Sequence, residues 1–312
     1  MRSPARPLST TVVVLLAAAA IIGYLAGHSR ASGASGEQIH TVSASVLLDY
    51  PSAWRPVSAA PGIPGLSLTD TVVLAPHGRP AQVGLLVGRL SGGEPSPIPG
   101  PFVARMREFP DTEVVNLVEI QAYRYARLSI AGFERKLTVY AIPNPGGDGT
   151  VLACYASAVF AAYMRACQQI VATATLVGQP PLYELTPEPA YAHRLSASLE
   201  ELDGQRVALR REMGVRATPA ITQRLAARLA ESFANAAASL SALEPPSATR
   251  QAQNALANSL LHAREAYSAL AVAAGEQSTT RFAAAREHIY EAEAAVNSAL
   301  ESFALLGYQQ TA

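Results

Sequence analysis

The chain has 312 residues, 49% of them hydrophobic and 15% charged, and its 24 basic residues balance its 24 acidic ones. That length and apolar content suffice for buried cores in two modest domains, while the zero net charge excludes the broad positive field that nucleic-acid binding uses. Lys136 is the only lysine among the bases and alanine is abundant, a GC-rich coding signature that weakens any pattern resting on alanine alone.

Residues Pro7 to Gly27 carry no charge and follow a short basic start containing Arg2 and Arg6. About 20 apolar residues cross a bilayer core, whereas the apolar region of a cleaved signal needs only 7 to 15. Residues 10–27 are therefore expected to be a transmembrane anchor, with 1–9 as a cytoplasmic N-terminus under the positive-inside rule. The alternative is a cleaved and secreted form, since Ser29-Arg30-Ala31 and Ala31-Ser32-Gly33 offer small residues at a usable spacing. Residues 28–40 are small, polar and Gly/Ser-rich, the composition of a flexible linker.

Residues 41–178 read as a mixed α and β domain. Val42 to Leu48, Thr71 to Ala75, Gln82 to Leu90, Thr112 to Val118, Ala122 to Ile130, Arg135 to Ile142 and Val151 to Ala156 are β-rich runs. Turns at His77-Gly78-Arg79-Pro80, at Ala131-Gly132 and in the PNPGGDG stretch from Pro143 join them closely enough to require antiparallel pairing. Pro101 can open a helix through Phe109, and a second helix is expected from Val159 to about Leu176, with Phe160, Tyr163, Cys167, Ile170 and Val171 on one stripe. Cys154 and Cys167 are the only cysteines, and in an oxidising compartment an even pair is most simply a disulfide, here between the last strand and the following helix. A redox pair, a metal site and two free core thiols are the competing readings.

Tyr50-Pro51-Ser52-Ala53-Trp54, the string VEIQAYRYARLSIAGFERKLTVYAIP and the final VLACYASAVFAAYMRACQQIVATATL resemble the PsbP-like α/β fold of exported bacterial proteins. The resemblance covers residues 41–178 and implies a small sheet flanked by helices, with Trp54 closing one end of its core. It also implies action mainly by binding, and it carries no catalytic residue onto this chain.

A linker at 179–188 leads into a second part, 189–307, where almost every signal is helical. Four helices are expected: Pro189 to Met213 before Gly214, Thr218-Pro219 to Pro245-Pro246, Ser247 to Gly275, and Ser278 to Leu306 before Gly307. The fourth carries a seam of Phe282, Ala285, Ile289, Ala292, Val296, Ala299, Phe303 and Leu306. Leu256, Leu260, Ala263, Tyr267 and Leu270 form the third seam, Leu225, Leu229, Phe233, Ala236, Leu240 and Leu243 the second, and Leu195, Leu199, Leu202, Leu209 and Met213 the first. Short connections between long helices favour an up-down bundle, and 308–312 form a tail. The expected class is thus α+β: an N-terminal transmembrane helix, an antiparallel sheet with flanking helices, then an all-α bundle.

Chemistry is sparse. No phosphate-cradling glycine loop, nucleophile elbow or HExxH element occurs, and Gly146-Gly147-Asp148-Gly149 reads as a hairpin turn. His262 with Glu265 and His288 with Glu291 repeat a His-x-x-Glu spacing, but both pairs flank the seams and read as solvated helix faces. His40, His77 and His193 stand apart. No catalytic, cofactor or metal residue is nominated, and no cofactor is expected. The expectation is a noncatalytic, membrane-anchored extracytoplasmic binding or scaffold protein whose partners are envelope proteins or its own copies. The alternative is a small-ligand receptor or hydrolase with a pocket between sheet and bundle, recognisable by a concave polar cluster containing Tyr123, Arg124 or Arg135. Sequencing of the mature N-terminus is expected to find Met1 or Arg2; a start beyond Ala31 marks cleavage instead.

Overall fold

The computed structural model describes residues 38–43, 45–58, 61–90, 96–144, 149–177, 184–215 and 218–308. The expected transmembrane segment at 10–27 and the glycine cluster at 146–148 lie outside them. Among the described residues no helix is long and apolar enough to cross a membrane. Residues 40–49 and 53 onward form one compact unit; 38–39 and 50–52 belong to another.

Ten strands and six helices make up the described chain. The strands are β1 (Gln38–Ser43), β2 (Val46–Pro51), β3 (Trp54–Val57), β4 (Thr69–Pro76), β5 (Val83–Leu90), β6 (Thr112–Asn116), β7 (Gln121–Ile130), β8 (Phe133–Pro143), β9 (Gly149–Ala156) and β10 (Thr175–Leu176). The helices are α1 (Gly100–Val103), α2 (Tyr163–Val171), α3 (Pro189–Val215), α4 (Pro219–Ser241), α5 (Arg250–Gly275) and α6 (Thr279–Leu305). Seven strands form an antiparallel sheet in the order β3-β4-β5-β9-β8-β7-β6, and β1-β2-β10 form a smaller one. Every sequence-adjacent pair in the large sheet from β6 to β9 is a hairpin neighbour, as the turn signals require. The pairing of β5 with β9, from Val83↔Ala156 to Leu90↔Gly149, is the long-range step that closes the order.

Three local differences from the sequence reading have physical causes. β3 is an addition to the expected strands, because Pro56 interrupts its pattern; as an edge strand it loses nothing by lacking that donor. The helix expected from Pro101 to Phe109 is a single turn, since Arg107 N–H donates to Ser129 O and Ala131 N–H to Arg105 O, drawing the segment against β7. The helix expected from Val159 to Leu176 spans only Tyr163–Val171, after a 3-10 turn at Ala158–Phe160. Thr173 stops it: its hydroxyl lies 2.7 Å from Ile170 O and accepts from Asp49 N–H at 2.9 Å, and the chain then turns to pair Thr175 with Leu47.

The large sheet buries both faces. On one, Leu86, Tyr125, Val139 and Ala153 share a single continuous core with the helices. On the other, α2 contacts β5 and β9 and is tied to β9 by the Cys154–Cys167 disulfide, with Cα atoms 5.9 Å apart. The helical seams are the helical share of that core: Leu225, Leu229, Phe233, Leu256, Leu260, Tyr267, Val296 and Phe303 are all buried. Each long helix packs against the next.

Helix ends normally leave four carbonyls without intrahelical partners, and a buried end needs donors from elsewhere. The C-terminus of α6 is buried against the sheet, and two sheet hydroxyls serve it. Tyr125 donates to Leu305 O at 2.8 Å, and Thr112 shares its proton between Ala304 O and Leu305 O at 3.2 and 3.3 Å. At the end of α4, Gln253 Nε2 donates to Leu240 O and Leu243 O, while its Oε1 accepts from Tyr191 at 2.7 Å. A third polar node binds the helices laterally. The Tyr267 hydroxyl donates to Glu293 at 2.7 Å and accepts from Arg210, which also pairs with Glu293, and the Tyr267 ring stacks on Phe233. One residue from each long helix meets there.

This packing has three measurable consequences. The disulfide closes a loop with a sequence separation of 13, so replacing both cysteines by alanine is expected to lower unfolding free energy by about 3 kcal/mol in urea titration. Removing both donors to Leu305 O with Thr112→Val and Tyr125→Phe leaves that carbonyl unsatisfied at a buried end, an expected loss of about 1–3 kcal/mol by the same measurement. Burial pushes Tyr155, Tyr191 and Tyr267 up from 10.0 to about 12, so the native state holds these protons more tightly than the unfolded chain. That stabilisation is complete below pH 10 and is lost as pH rises through about 12. The urea midpoint is therefore expected to fall across this alkaline range.

Candidate functional site

The β7–β8 hairpin turns at Ala131-Gly132, where Gly132 takes a φ of +82° that a side chain would disfavour. Its two strands do not run in simple register. Tyr125 pairs with Val139 and Leu128 with Leu137, so Ala126 and Arg127 together oppose Thr138 alone. This is a bulge, and Arg127 takes the left-handed φ of +54° within it. The extra residue resets the alternation. Leu128 and Ile130 return to the core, while Arg127 and Ser129 stay exposed.

Beside this hairpin lies an open cleft of about 520 Å3. One wall is β7 and β8; the other is α2 and the residues just before it, through Ala161, Met164 and Gln168. Ala161 and Met164 give it accessible apolar surface, and Ser129 and Gln168 give it polar groups, while Leu128, Phe133 and Leu137 adjoin it from within the buried core. Four cations line it, Arg107, Arg127, Arg135 and Lys136, against one acid, Glu134. Glu134 is engaged by Arg107 at 3.4 Å, a pair exposed enough to be weak. Arg135 is held in place from two sides: its Nε donates to Ala81 O at 3.1 Å and its guanidinium sits 5.0 Å from the Phe133 ring centroid.

Of the three residues that would mark a ligand cleft, Arg135 lines this one. Arg124 does not; it pairs with Glu113 at 2.6 Å on the neighbouring strand. Tyr123 is buried between sheet and linker, where it donates to Leu185 O, and burial followed by the neighbouring Tyr308 pushes its pKa up. At the sheet-to-helix boundary Tyr123, Tyr125 and Tyr308 lie in the shared core, and a cleft of about 380 Å3 lined by Val103, Met106, Phe109, Ser298 and Leu305 contains none of the three marker residues. Arg107, Arg127 and Lys136 escape the sequence reading. The isolated lysine is the available signal, because in a chain that uses arginine for every other base a single lysine at a hairpin mouth stands out.

The other candidates are not brought together. His262, Glu265, His288, Glu291 and His193 are all exposed on helix surfaces, and His77 is exposed in the turn after β4. Among the described residues no group of three or more His, Cys, Asp or Glu side chains could hold a metal ion. The Cys154–Cys167 bond lies under α2, and its role here is to hold the wall of the cleft against β9.

Comparison with solved structures finds the cyanobacterial PsbP (CyanoP) from Synechocystis sp. PCC 6803, a solution structure. It is 10% identical, has a TM-score of 0.31, and is matched over 94% of its own length by 46% of this chain. No family model matches the sequence, and no curated protein matches it.

The site has one checkable property. Arg127→Gly suits the left-handed φ of +54° and removes an exposed side chain, so this variant is expected to keep wild-type stability or gain up to about 1 kcal/mol in urea titration.

Proposed function

We propose that this chain is a noncatalytic, membrane-anchored extracytoplasmic binding or scaffold protein, built from a PsbP-like α/β domain and an up-down helical bundle, and acting through protein–protein contacts. The observation that carries it is the single core joining sheet to helices, with α6 seated on sheet hydroxyls. A body held together in that way presents its outer helix faces in one fixed arrangement, which is what a scaffold needs. The partners are envelope proteins or further copies of the chain, and the N-terminal segment keeps the body near the membrane.

A second reading, small-ligand reception, is favoured by a specific observation. The cleft beside the β7–β8 hairpin contains Arg135 and carries four cations against one acid. It lies on the α2 side of the sheet rather than between sheet and bundle.

Photocrosslinking in intact cells tests both readings. A crosslinking residue at exposed Tyr290 on α6 is expected to trap a defined partner or a second copy in membranes, and one at Gln168 a ligand of the cleft. Absence of any specific adduct from both positions overturns the binding assignment.

A further inference from the structure

The cleft between the β7–β8 hairpin and α2 has a charge imbalance that the fold maintains and does not neutralise. Glu134 is its only acid and is shared with Arg107, which leaves Arg127, Arg135 and Lys136 with no acidic partner among the lining residues. The chain as a whole is neutral, with 24 bases and 24 acids, so local clustering of this kind is not an overflow of general basicity. Two of these cations are placed at a conformational cost or by dedicated contacts. Arg127 occupies a left-handed bulge position that a non-glycine residue adopts at a cost, and Arg135 is fixed by Ala81 O and Phe133. Lys136, the only lysine of the chain, is the third.

Resting on the receptor reading, we propose that this cleft is an oxyanion site that takes a phosphate-bearing ligand between Arg127, Arg135 and Lys136. A dianionic phosphate monoester answers this arrangement better than a single carboxylate, which would leave two cations uncompensated. Guanidinium forks engage phosphate oxygens pairwise while an ammonium acts as a point charge, so two arginines and one lysine supply complementary contacts. Ser129 and Gln168 add neutral donors at the rim. Ala161 and Met164 on the α2 wall offer apolar surface to the organic part that carries the phosphate. That chemistry has two sources, a free phosphate ester or the headgroup of an anionic lipid, and a body tethered to a membrane meets both.

Because Lys136 is the only lysine, an amine-acylating reagent modifies this side chain and the chain's N-terminal amine and no other amine. The ratio of the two rates, read by mass spectrometry on the full-length protein, reports the cleft with its own internal reference. In detergent, inorganic phosphate is expected to slow Lys136 acylation relative to the N-terminus, roughly tenfold at ten times its dissociation constant, while chloride at equal ionic strength does not. In nanodiscs, phosphatidic acid mixed with phosphatidylcholine is the second arm and phosphatidylcholine alone its control. Protection by inorganic phosphate identifies free phosphate chemistry; protection only with phosphatidic acid identifies a lipid headgroup; either supports the site. Arg127→Gly, whose backbone suits the bulge, is expected to abolish protection at a melting temperature no lower than that of the wild type. Equal protection by chloride, no protection in either arm, or protection undiminished in Arg127→Gly overturns the proposal. If protection is absent while a crosslinker at Gln168 still traps a ligand in cells, the receptor reading stands and the phosphate assignment alone falls.

Discussion

The end of the last helix is where the fold is decided. An α-helix stops with carbonyls that have no partner, and burying them against an apolar sheet would cost more than the packing returns. Here Tyr125 and Thr112 project from the sheet at the positions of Leu305 O and Ala304 O, so the end of α6 is seated with its polar groups satisfied. The same logic recurs at the other junctions. Gln121 accepts from Leu185 N–H and Tyr123 donates to Leu185 O, Tyr308 accepts from Glu188 N–H, and Gln253 closes the end of α4. The aromatic rings do the apolar half of the work, Tyr308 meeting Tyr191 and Phe303 edge-on. A tyrosine suits such a junction because it fills a core with its ring and satisfies a carbonyl with its tip. Sheet and helices consequently share one hydrophobic core.

The opposite face of the sheet is organised by a covalent constraint. The disulfide pins α2 over β9 and β5, where Leu85 pairs with Cys154; on the same face of β8, Thr138, Tyr140 and Ile142 are buried and Lys136 near the hairpin end is exposed. At that end of the strand the cleft opens, with the nine-residue α2 as one wall. Thr173, by ending α2 early and turning the chain into β10, sets that length. The bulge at Ala126-Arg127 then settles which side chains look into the cleft, since without it Leu128 and Arg127 would exchange faces.

Much of the architecture was legible in the sequence. Alternation and turn residues marked seven of the strands, and the four helices begin and end within a few residues of their proline, glycine and Ser/Thr signals, with Thr218 accepting from Ile221 N–H and Ser278 from Arg281 N–H as caps. The seams were legible even where alanine dominates, Ala263, Ala285, Ala292 and Ala299 all being buried. The candidate site was legible only in part. Arg135 was marked, but Arg127 and Lys136 sit a bulge away from simple alternation, and a bulge leaves no mark in composition. Nothing in the string of letters says that Tyr123 and Tyr125 are buried in the core that sheet and helices share.

Local signals thus determined element types, the seams and the cysteine partners, because each depends on periodicity, caps or turns within a short window. What only the tertiary structure decided was everything requiring residues far apart in the chain to meet. The pairing of β5 with β9, the seating of α6 on Thr112 and Tyr125, and the node of Arg210, Tyr267 and Glu293 join segments separated by dozens to nearly two hundred residues. Periodicity tells a side chain that it is buried; it does not tell it against what. Polar partners in a core are selected by geometry at distances of about 3 Å, and that geometry exists only once the chain has closed on itself.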